Sequence, residues 1–336
     1  MRVIKFALAG LCAVVLCAMV LAGAANAEPL KITLGWVAPG NWASIWLQKK
    51  DLAKHYGKSY VVDPIHFAGT PPMVTALANN QVDIANLAYS TLGIAIENAD
   101  LTDLRIISDE FQDGVDDTFS EEFMVLKNSP IHKVEDLKGK VVATNAEGSA
   151  VDVSMKAMLR KHGLLPNRDY TEVEAPFPAM RPMLAENKVA LIPAVPPFAY
   201  DPALLKIARP LFTQKQAIGV TDMIVWVARK PFIDAHRAAL TDFFADTLRI
   251  VHWYLDPKNH AAAMQIMGNL VKRPPQMFSY IYTKRDNYHD PDLMPNLVAL
   301  QKNVDLTVEL GYVKSKFDVD KYTDLSILKA AAARLK

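Results

Sequence analysis

Met73-Val-Thr-Ala-Leu-Ala-Asn-Asn-Gln-Val-Asp-Ile-Ala-Asn86 is echoed by Met180-Arg-Pro-Met-Leu-Ala-Glu-Asn-Lys-Val-Ala-Leu-Ile-Pro193. Met, Leu, Ala, Asn and Val recur in register at an offset of 107 residues, and the same offset lays Ala68 on Ala175, Pro71 on Pro178 and Lys31 on Lys138. Each copy reads as a helix running into a short apolar strand. The offset far exceeds the roughly 20–50-residue period of solenoids and propellers, so it predicts a duplicated α/β lobe and not a repeat array. Two lobes enclose a cleft, and clefts are where small molecules bind.

Working outward from the first copy, Leu30–Trp36 reads as a strand, Pro39-Gly40-Asn41 as a turn, and Trp42 to Tyr56 as an apolar-periodic helix that Asn41 can cap. Val61 to Phe67 is a second strand, after which Gly69-Thr70-Pro71-Pro72 starts the helix Pro72 to Asn80 with Thr70 as its cap. Val82 to Leu87, a helix from Ser90 to Asn98, and the strand Leu104 to Ser108 complete a βαβαβαβ lobe, for which a parallel sheet is the default. Around the second copy, Val134-Glu-Asp-Leu-Lys-Gly-Lys-Val-Val-Ala-Thr-Asn-Ala-Glu-Gly-Ser149 supplies a turn, a strand and a Gly-Ser helix start into Val151 to His162. Phe123 to Leu126 and Met223 to Val227 are short apolar strands on either side of that unit, expected as the crossings between lobes. Helices are expected over Ala235 to Leu255, His260 to Met267, Pro274 to Tyr282 and Asp290 to Leu310, a tail that packs back on the first lobe. The expected division is thus 28–122 with 228–336 as lobe 1 and 123–227 as lobe 2.

Residues 1–27 hold Arg2 and Lys5, an apolar run from Phe6 to Leu21, and Ala25-Asn26-Ala27 before Glu28. This is the pattern of a secretory signal peptide cleaved after Ala27, too short and too rich in Ala and Gly for a lasting membrane span. Both cysteines, Cys12 and Cys17, lie inside it. The mature chain therefore has no thiol, which excludes disulfides, cysteine nucleophiles and thiolate metal sites. About 300 residues remain, enough to bury a core without such staples. Lys+Arg 37 stand against Asp+Glu 36 with no basic run, so nucleic acid is not an expected partner.

No zinc-binding His spacing, calcium loop, P-loop lysine or G-x-S-x-G elbow occurs in the chain. No metal and no cofactor is expected. The acidic residues Asp109, Glu110, Asp113, Asp116 and Asp117 are read as a solvated hinge loop.

Leu77-Ala-Asn-Asn-Gln-Val-Asp-Ile-Ala85 resembles the L-x-x-G-x-x-D-x-A step of the periplasmic solute-binding proteins of ABC importers, in the nitrate, sulfonate and taurine family. Val134-Glu-Asp-Leu-Lys-Gly-Lys-Val-Val-Ala143 resembles that family's DLKGKKVA stretch, and Gly148-Ser149 and Gly163-Leu164 also fit. The resemblance spans essentially the whole mature chain. It implies a type II periplasmic-binding-protein fold: two doubly wound lobes joined by two crossing strands, with the cleft between them. The chain departs from the pattern at Asn80, where the family has glycine, at Ala190, where an Asp is usual, and at Pro193-Ala-Val-Pro-Pro197, where an acidic-proline loop is usual.

In such a fold the ligand lies at the carboxyl ends of the strands, against helix N-termini that favour negative charge. The residues expected there are Trp36, Asn41 and Trp42 after the first strand, Gly69 and Thr70 after the second, and Asn86, Tyr89 and Ser90 after the third. Gly148, Ser149 and Pro193 face them from the second lobe. Aromatic rings cover a flat or alkyl body, while Asn, Thr and Ser supply neutral hydrogen bonds. Trp46, one turn beyond Trp42, is expected in the core. The resemblance implies a monomeric binding subunit that captures a small organic anion, a sulfonate or taurine or an aromatic carboxylate, and delivers it to an ABC permease in the inner membrane. The alternative is an enzyme, or a binder of a pyrimidine precursor, on the same fold.

Overall fold

The computed structural model describes residues 28–37 and 46–335. The expected signal peptide, Asn41 and Trp42 lie outside the described residues. In chain order the elements are β1 (Leu30–Trp36), β2 (Tyr60–His66), α1 (Thr70–Ala78), β3 (Ile84–Ala88), α2 (Tyr89–Gly93) and β4 (Leu104–Asp113). The chain then runs through β5 (Glu122–Leu126), β6 (Val141–Thr144), α3 (Ala150–Lys161), β7 (Thr171–Glu174), α4 (Phe177–Ala185) and β8 (Ile192–Ala194). After α5 (Pro202–Ile207), β9 (Ala208–Thr213), α6 (Gln214–Ile218) and β10 (Thr221–Arg229), the tail is helical: α7 (Lys230–Ala235), α8 (Arg237–Leu255), α9 (His260–Val271), α10 (Leu297–Glu309) and α11 (Ser326–Ala333). Among the described residues no helix is long and apolar enough to cross a membrane.

The first sheet has the order β2-β1-β3-β10-β4. β1 pairs in parallel with β2 and β3, whereas β10 is antiparallel to both β3 and β4. The wholly parallel sheet expected for this lobe is therefore corrected by one strand, which returns from the far side of the second lobe and fills the gap between β3 and β4. The sheet is covered on both faces, so the central strands read as unbroken apolar runs: all five residues of β3 are buried. On one face Trp46, Tyr60, Trp226 and Phe243 pack together, with Trp46 and Tyr60 stacked at 6.2 Å. Trp46 is the core residue its spacing predicts. On the other face Met73, Leu77, Leu87 and Val225 join the core of the second lobe.

The second lobe repeats this plan. β6 is parallel to β7, a parallel bridge from Val142 to Leu191 joins β6 to the start of β8, and β5 is antiparallel to both β8 and β9. Its order, β7-β6-β8-β5-β9, is the first sheet's order with β5 in the place of β10. Shifted by 107 residues, α1 lands on α4, both nine residues long. The turns after them match as well, with Asn80 at φ 53° and Asn187 at φ 56°. This left-handed region suits Gly best and Asn next, which explains how Asn80 stands in for the family's glycine.

Two expected features are placed differently. Phe123–Leu126 and Met223–Val227 are interior sheet strands of opposite lobes, and the chain crosses between lobes just outside them, at 114–121 and 214–220. The crossings lie side by side: the Lys215 amide donates to Ser120 Oγ at 2.8 Å, the Gln214 amide donates to the Glu121 carbonyl at 2.8 Å, and Gly114 takes a φ of 69° against the Lys215 side chain. The helix expected over Trp42 to Tyr56 does not extend through its second half, where only a 3-10 turn, Lys50–Leu52, forms. Pro274 to Tyr282 likewise holds only the 3-10 turn Pro275–Phe278.

The acidic group read as a solvated loop divides. Asp116 and Asp117 are exposed, but Asp109, Glu110 and Asp113 lie fully buried on β4. Neutral donors meet them there: Gln112 Nε2 to Asp109 at 3.1 Å, Trp226 Nε1 to Glu110 at 2.9 Å, and Ser120 Oγ and the Glu121 amide to Asp113 at 2.7 Å each. Buried carboxyls survive only with such partners. Burial still wins at Asp113, whose pKa is pushed up to about 7 against the pull of the Glu121 amide and Ser120.

Candidate functional site

A cavity lies between the two sheets, at the carboxyl ends of β1, β3 and β6. The first lobe contributes Val37 after β1, Thr70 at the start of α1, Ala88 at the end of β3, Phe111 from β4, and Met223 and Ile224 from β10. The second lobe contributes Asn145 and Ser149 ahead of α3, Phe177 at the start of α4, and Val195 and Pro196 after β8. Thr70 and Phe177 are related by the 107-residue offset, as are Ala88 and Val195. Equivalent positions of the duplicated unit thus face the same space with different chemistry. The crossing at 114–121 adds Glu121, and the tail adds Tyr280, Asp286, Asn287 and His289.

Ser149 caps α3, accepting from the Asp152 amide at 3.4 Å while its Oγ donates to Asn145 Oδ1 at 2.8 Å. Asp152, fully buried, accepts from the Gly148 amide at 2.7 Å. The negative charge that a helix N-terminus favours is therefore supplied at α3 by the chain's own Asp152. Thr70 was expected to cap its helix; instead it is the first residue of α1, Gly69 occupies the cap, and Thr70 Oγ1 is buried with no hydrogen-bond partner among the described residues. A Cβ at Gly69 would lie 3.2 Å from Asn145 Nδ2, so the absence of a side chain lets the lobes meet. Gly148, at φ 74°, makes the same approach to Ile94.

At the opposite end Glu121 is 2 % exposed, and its Oε2 has no hydrogen-bond partner among the described residues. Burial raises its pKa well above the usual carboxylate range, and the charges of Asp113 and Asp286 add to this while Asn287 offsets part of it. Asp286 accepts from the amides of Tyr282 at 2.8 Å and Asn287 at 3.0 Å, and His289 Nε2 stands 3.6 Å from it. His289 Nδ1 lies 3.1 Å from the Glu110 carbonyl. No Lys or Arg is among the described residues that line the cavity.

The lobes also touch over the cavity. Tyr89 Oη donates to the Ala150 carbonyl at 3.0 Å, Tyr312 Oη donates to Asp152 Oδ2 at 2.7 Å, and Arg160 Nη1 donates to the Glu309 carbonyl at 2.9 Å. α3 is thus held against the first lobe across the cleft.

Of the residues expected at the site, Thr70 and Ser149 line the cavity, with Gly69 and Gly148 next to them. The five others among the described residues are placed elsewhere. Trp36 packs edge-on against His66 at 4.6 Å, leaving its neighbour Val37 to face the cavity. Asn86 is buried within the first sheet, donating to Glu110. Tyr89 serves the contact between lobes, and Ser90 is wholly buried at the start of α2. Pro193, paired with Phe123 in the second sheet, borders a separate cavity alongside Arg181 and Phe278. Alternation along a strand sends every second side chain to the opposite face, so a one-residue error at the end of β1 exchanges Val37 for Trp36. Glu121, Phe177 and the 286–289 segment were not anticipated. The 107-residue offset could have found Phe177, as the counterpart of Thr70; nothing local marks the rest.

Two doubly wound lobes of like topology around a cleft define the periplasmic-binding-protein fold. The chain resembles in structure the periplasmic aliphatic sulphonate binding protein SsuA from Escherichia coli, with a TM-score of 0.66 at 18% identity over 88% of this chain and 92% of that one. The periplasmic nitrate-binding protein NrtA from Synechocystis PCC 6803 superposes with a TM-score of 0.69 at 15% identity, covering 92% and 90%. The desulfurization enzyme DSZB shares the fold too, at a TM-score of 0.66 and 11% identity over 91% and 100%. No curated protein matches the sequence. The pattern that defines the NMT1-like family matches residues 25–268, and the chain belongs to that family. The resemblance drawn from Leu77–Ala85 and Val134–Ala143 thus holds at the level of family and fold.

Proposed function

We propose that the chain is the exported substrate-binding subunit of an ABC importer. The observation that carries this reading is the cavity between duplicated lobes, lined mainly by apolar side chains and spanned by two adjacent crossings about which the lobes can open. The described cavity has no metal-ligand cluster and needs no cofactor to hold a small molecule. The ligand is a small organic anion, a sulfonate or taurine-like compound or an aromatic carboxylate. Its acid group lies against the neutral donors Thr70 and Asn145, beside Ser149, and its body among Phe111, Phe177, Val195 and Met223. The relatives named above support this reading: two are called binding proteins for sulphonate or nitrate. The lobes are 28–122 with 228–336 and 123–227, with the second boundary drawn back to about 220 so that β10 stays with its sheet. The leader is cleaved after Ala27, and the mature chain works in the periplasm as a monomer that presents its closed form to the inner-membrane permease.

An enzyme on this scaffold is the competing reading, and DSZB, which shares the fold, favours it. Calorimetric and thermal-shift screening of purified residues 28–336 separates the two. A single ligand recovered unchanged by mass spectrometry is expected; its conversion to product would overturn the transport reading.

A further inference from the structure

The far end of the cavity has a chemistry that an anion does not explain. Glu121 is almost wholly buried, its Oε2 lacks a partner among the described residues, and Asp286 lies on the same wall. Tyr280, 2 % exposed and likewise on this wall, has a hydroxyl without a partner there. No lysine or arginine among the described lining residues offsets these carboxyls. An acceptor buried without a donor is costly, more so when charged, so the chain carries this cost at one end of a cavity it otherwise lines mainly with apolar groups. At the other end stand neutral hydrogen-bonding groups: the unpartnered Thr70 hydroxyl, Ser149 and Asn145.

Resting on the binding-protein reading, we infer that Glu121 selects ligands bearing a protonated amine, the amine and the acid group lying at opposite ends of an apolar body. The ligand class is a zwitterion, with its ammonium against Glu121 and its acid group at Thr70 and Asn145. An ammonium gives Glu121 Oε2 the donor it lacks and brings an opposite charge to the carboxyl. Burial and the charges of Asp113, Asp286 and Glu122 disfavour the charged form of this carboxyl, and the Asn287 side chain acts against them. A bound cation reverses that balance. Asp286 is already bonded to two backbone amides, so it adds field and leaves the direct contact to Glu121. Selection works by difference: an uncharged end group leaves Glu121 unpaired, which is how a buried polar group rejects the analogue that lacks its partner.

The test uses a matched pair of probes on residues 28–336, 4-(aminomethyl)benzoate and 4-methylbenzoate, titrated calorimetrically. The amine-bearing probe is expected to bind at least tenfold tighter to the native chain, and Glu121→Gln is expected to reduce that preference to threefold or less. Equal affinities, tighter binding of 4-methylbenzoate, a preference that survives Glu121→Gln, or no binding of the amine-bearing probe would each overturn the inference. The comparison of the two probes on the native chain stands even if the variant fails to fold. Binding of 4-methylbenzoate alone would reject the amine and leave the transport reading intact, whereas turnover of either probe would reject the transport reading itself.

Discussion

α1 and α4 are the same helix written twice: nine residues each, at an offset of 107, each ending in an Asn turned into the left-handed region. Their first residues differ, Thr70 in one and Phe177 in the other, and both line the cavity. The scaffold is therefore duplicated and the chemistry is not. Inward-facing positions such as Leu77 and Leu184 kept their identity because both cores need the same volume. The positions facing the cleft diverged because a ligand between two lobes meets each of them only once.

The largest effect should come from the shared positions. Leu77 and Leu184 are each fully buried, so Leu77→Ala and Leu184→Ala should each cost about 2–5 kcal/mol in urea unfolding. A neutral result at either would break the structural equivalence.

The inserted strands differ in charge, and this sharpens the comparison. β10 carries Asp222, whose pKa burial pushes up to about 8, whereas β5 has apolar Phe123, Met124 and Val125 in its buried positions. A carboxyl raised in the folded state keeps a proton that the unfolded chain gives up. Its stabilising contribution is full below the usual carboxylate range and is lost as pH rises toward about 8. Asp222→Asn should therefore reduce the loss of stability between pH 5 and pH 8 by at least about 1.4 kcal/mol, the value of one pKa unit. An unchanged pH profile would rule this out.

At the cleft, Phe177→Ala should weaken binding of the ligand found by screening at least tenfold, since an aromatic wall contributes both area and stacking. Thr70→Val, which removes one hydroxyl at constant volume, should cost two- to tenfold, in line with about 0.5–1.5 kcal/mol for a hydrogen bond. The reverse ranking in calorimetry would mean that the polar end dominates recognition. In urea unfolding, Asn80→Ala and Asn187→Ala should each lose about 1–2 kcal/mol or less of stability from the left-handed backbone. The loss should be slightly larger at Asn80, which also accepts from Arg229 at 3.2 Å.

Lobe topology was readable because it rests on local periodicity repeated at a fixed offset. The insertion of β10 was not, since Met223–Val227 carries the same apolar pattern whether it crosses between lobes or fills a sheet. The buried carboxyls of β4 were opaque for a similar reason: Glu110 is satisfied by Trp226, 116 positions away, and no spacing along the chain reveals that donor. Thr70 and Ser149 could be found because ligands gather where strands end and helices begin. Glu121 and residues 286–289 come from segments without period, brought to the cavity by the crossing and the tail. Residues 286–289 also lie beyond residues 25–268, the part of the chain that the family pattern covers.

The place of β10 sets an order of completion. β3 and β4 are not neighbours; the strand between them is the last of the ten to be made. A chain emerging from its amino end holds a first lobe with an open seam until Arg229 has appeared, whereas the second lobe, whose inserted strand β5 comes first, has all its strands once Thr213 is out. The lobe that begins later can thus be finished earlier, and any fragment that ends before β10 leaves the edges of β3 and β4 bare.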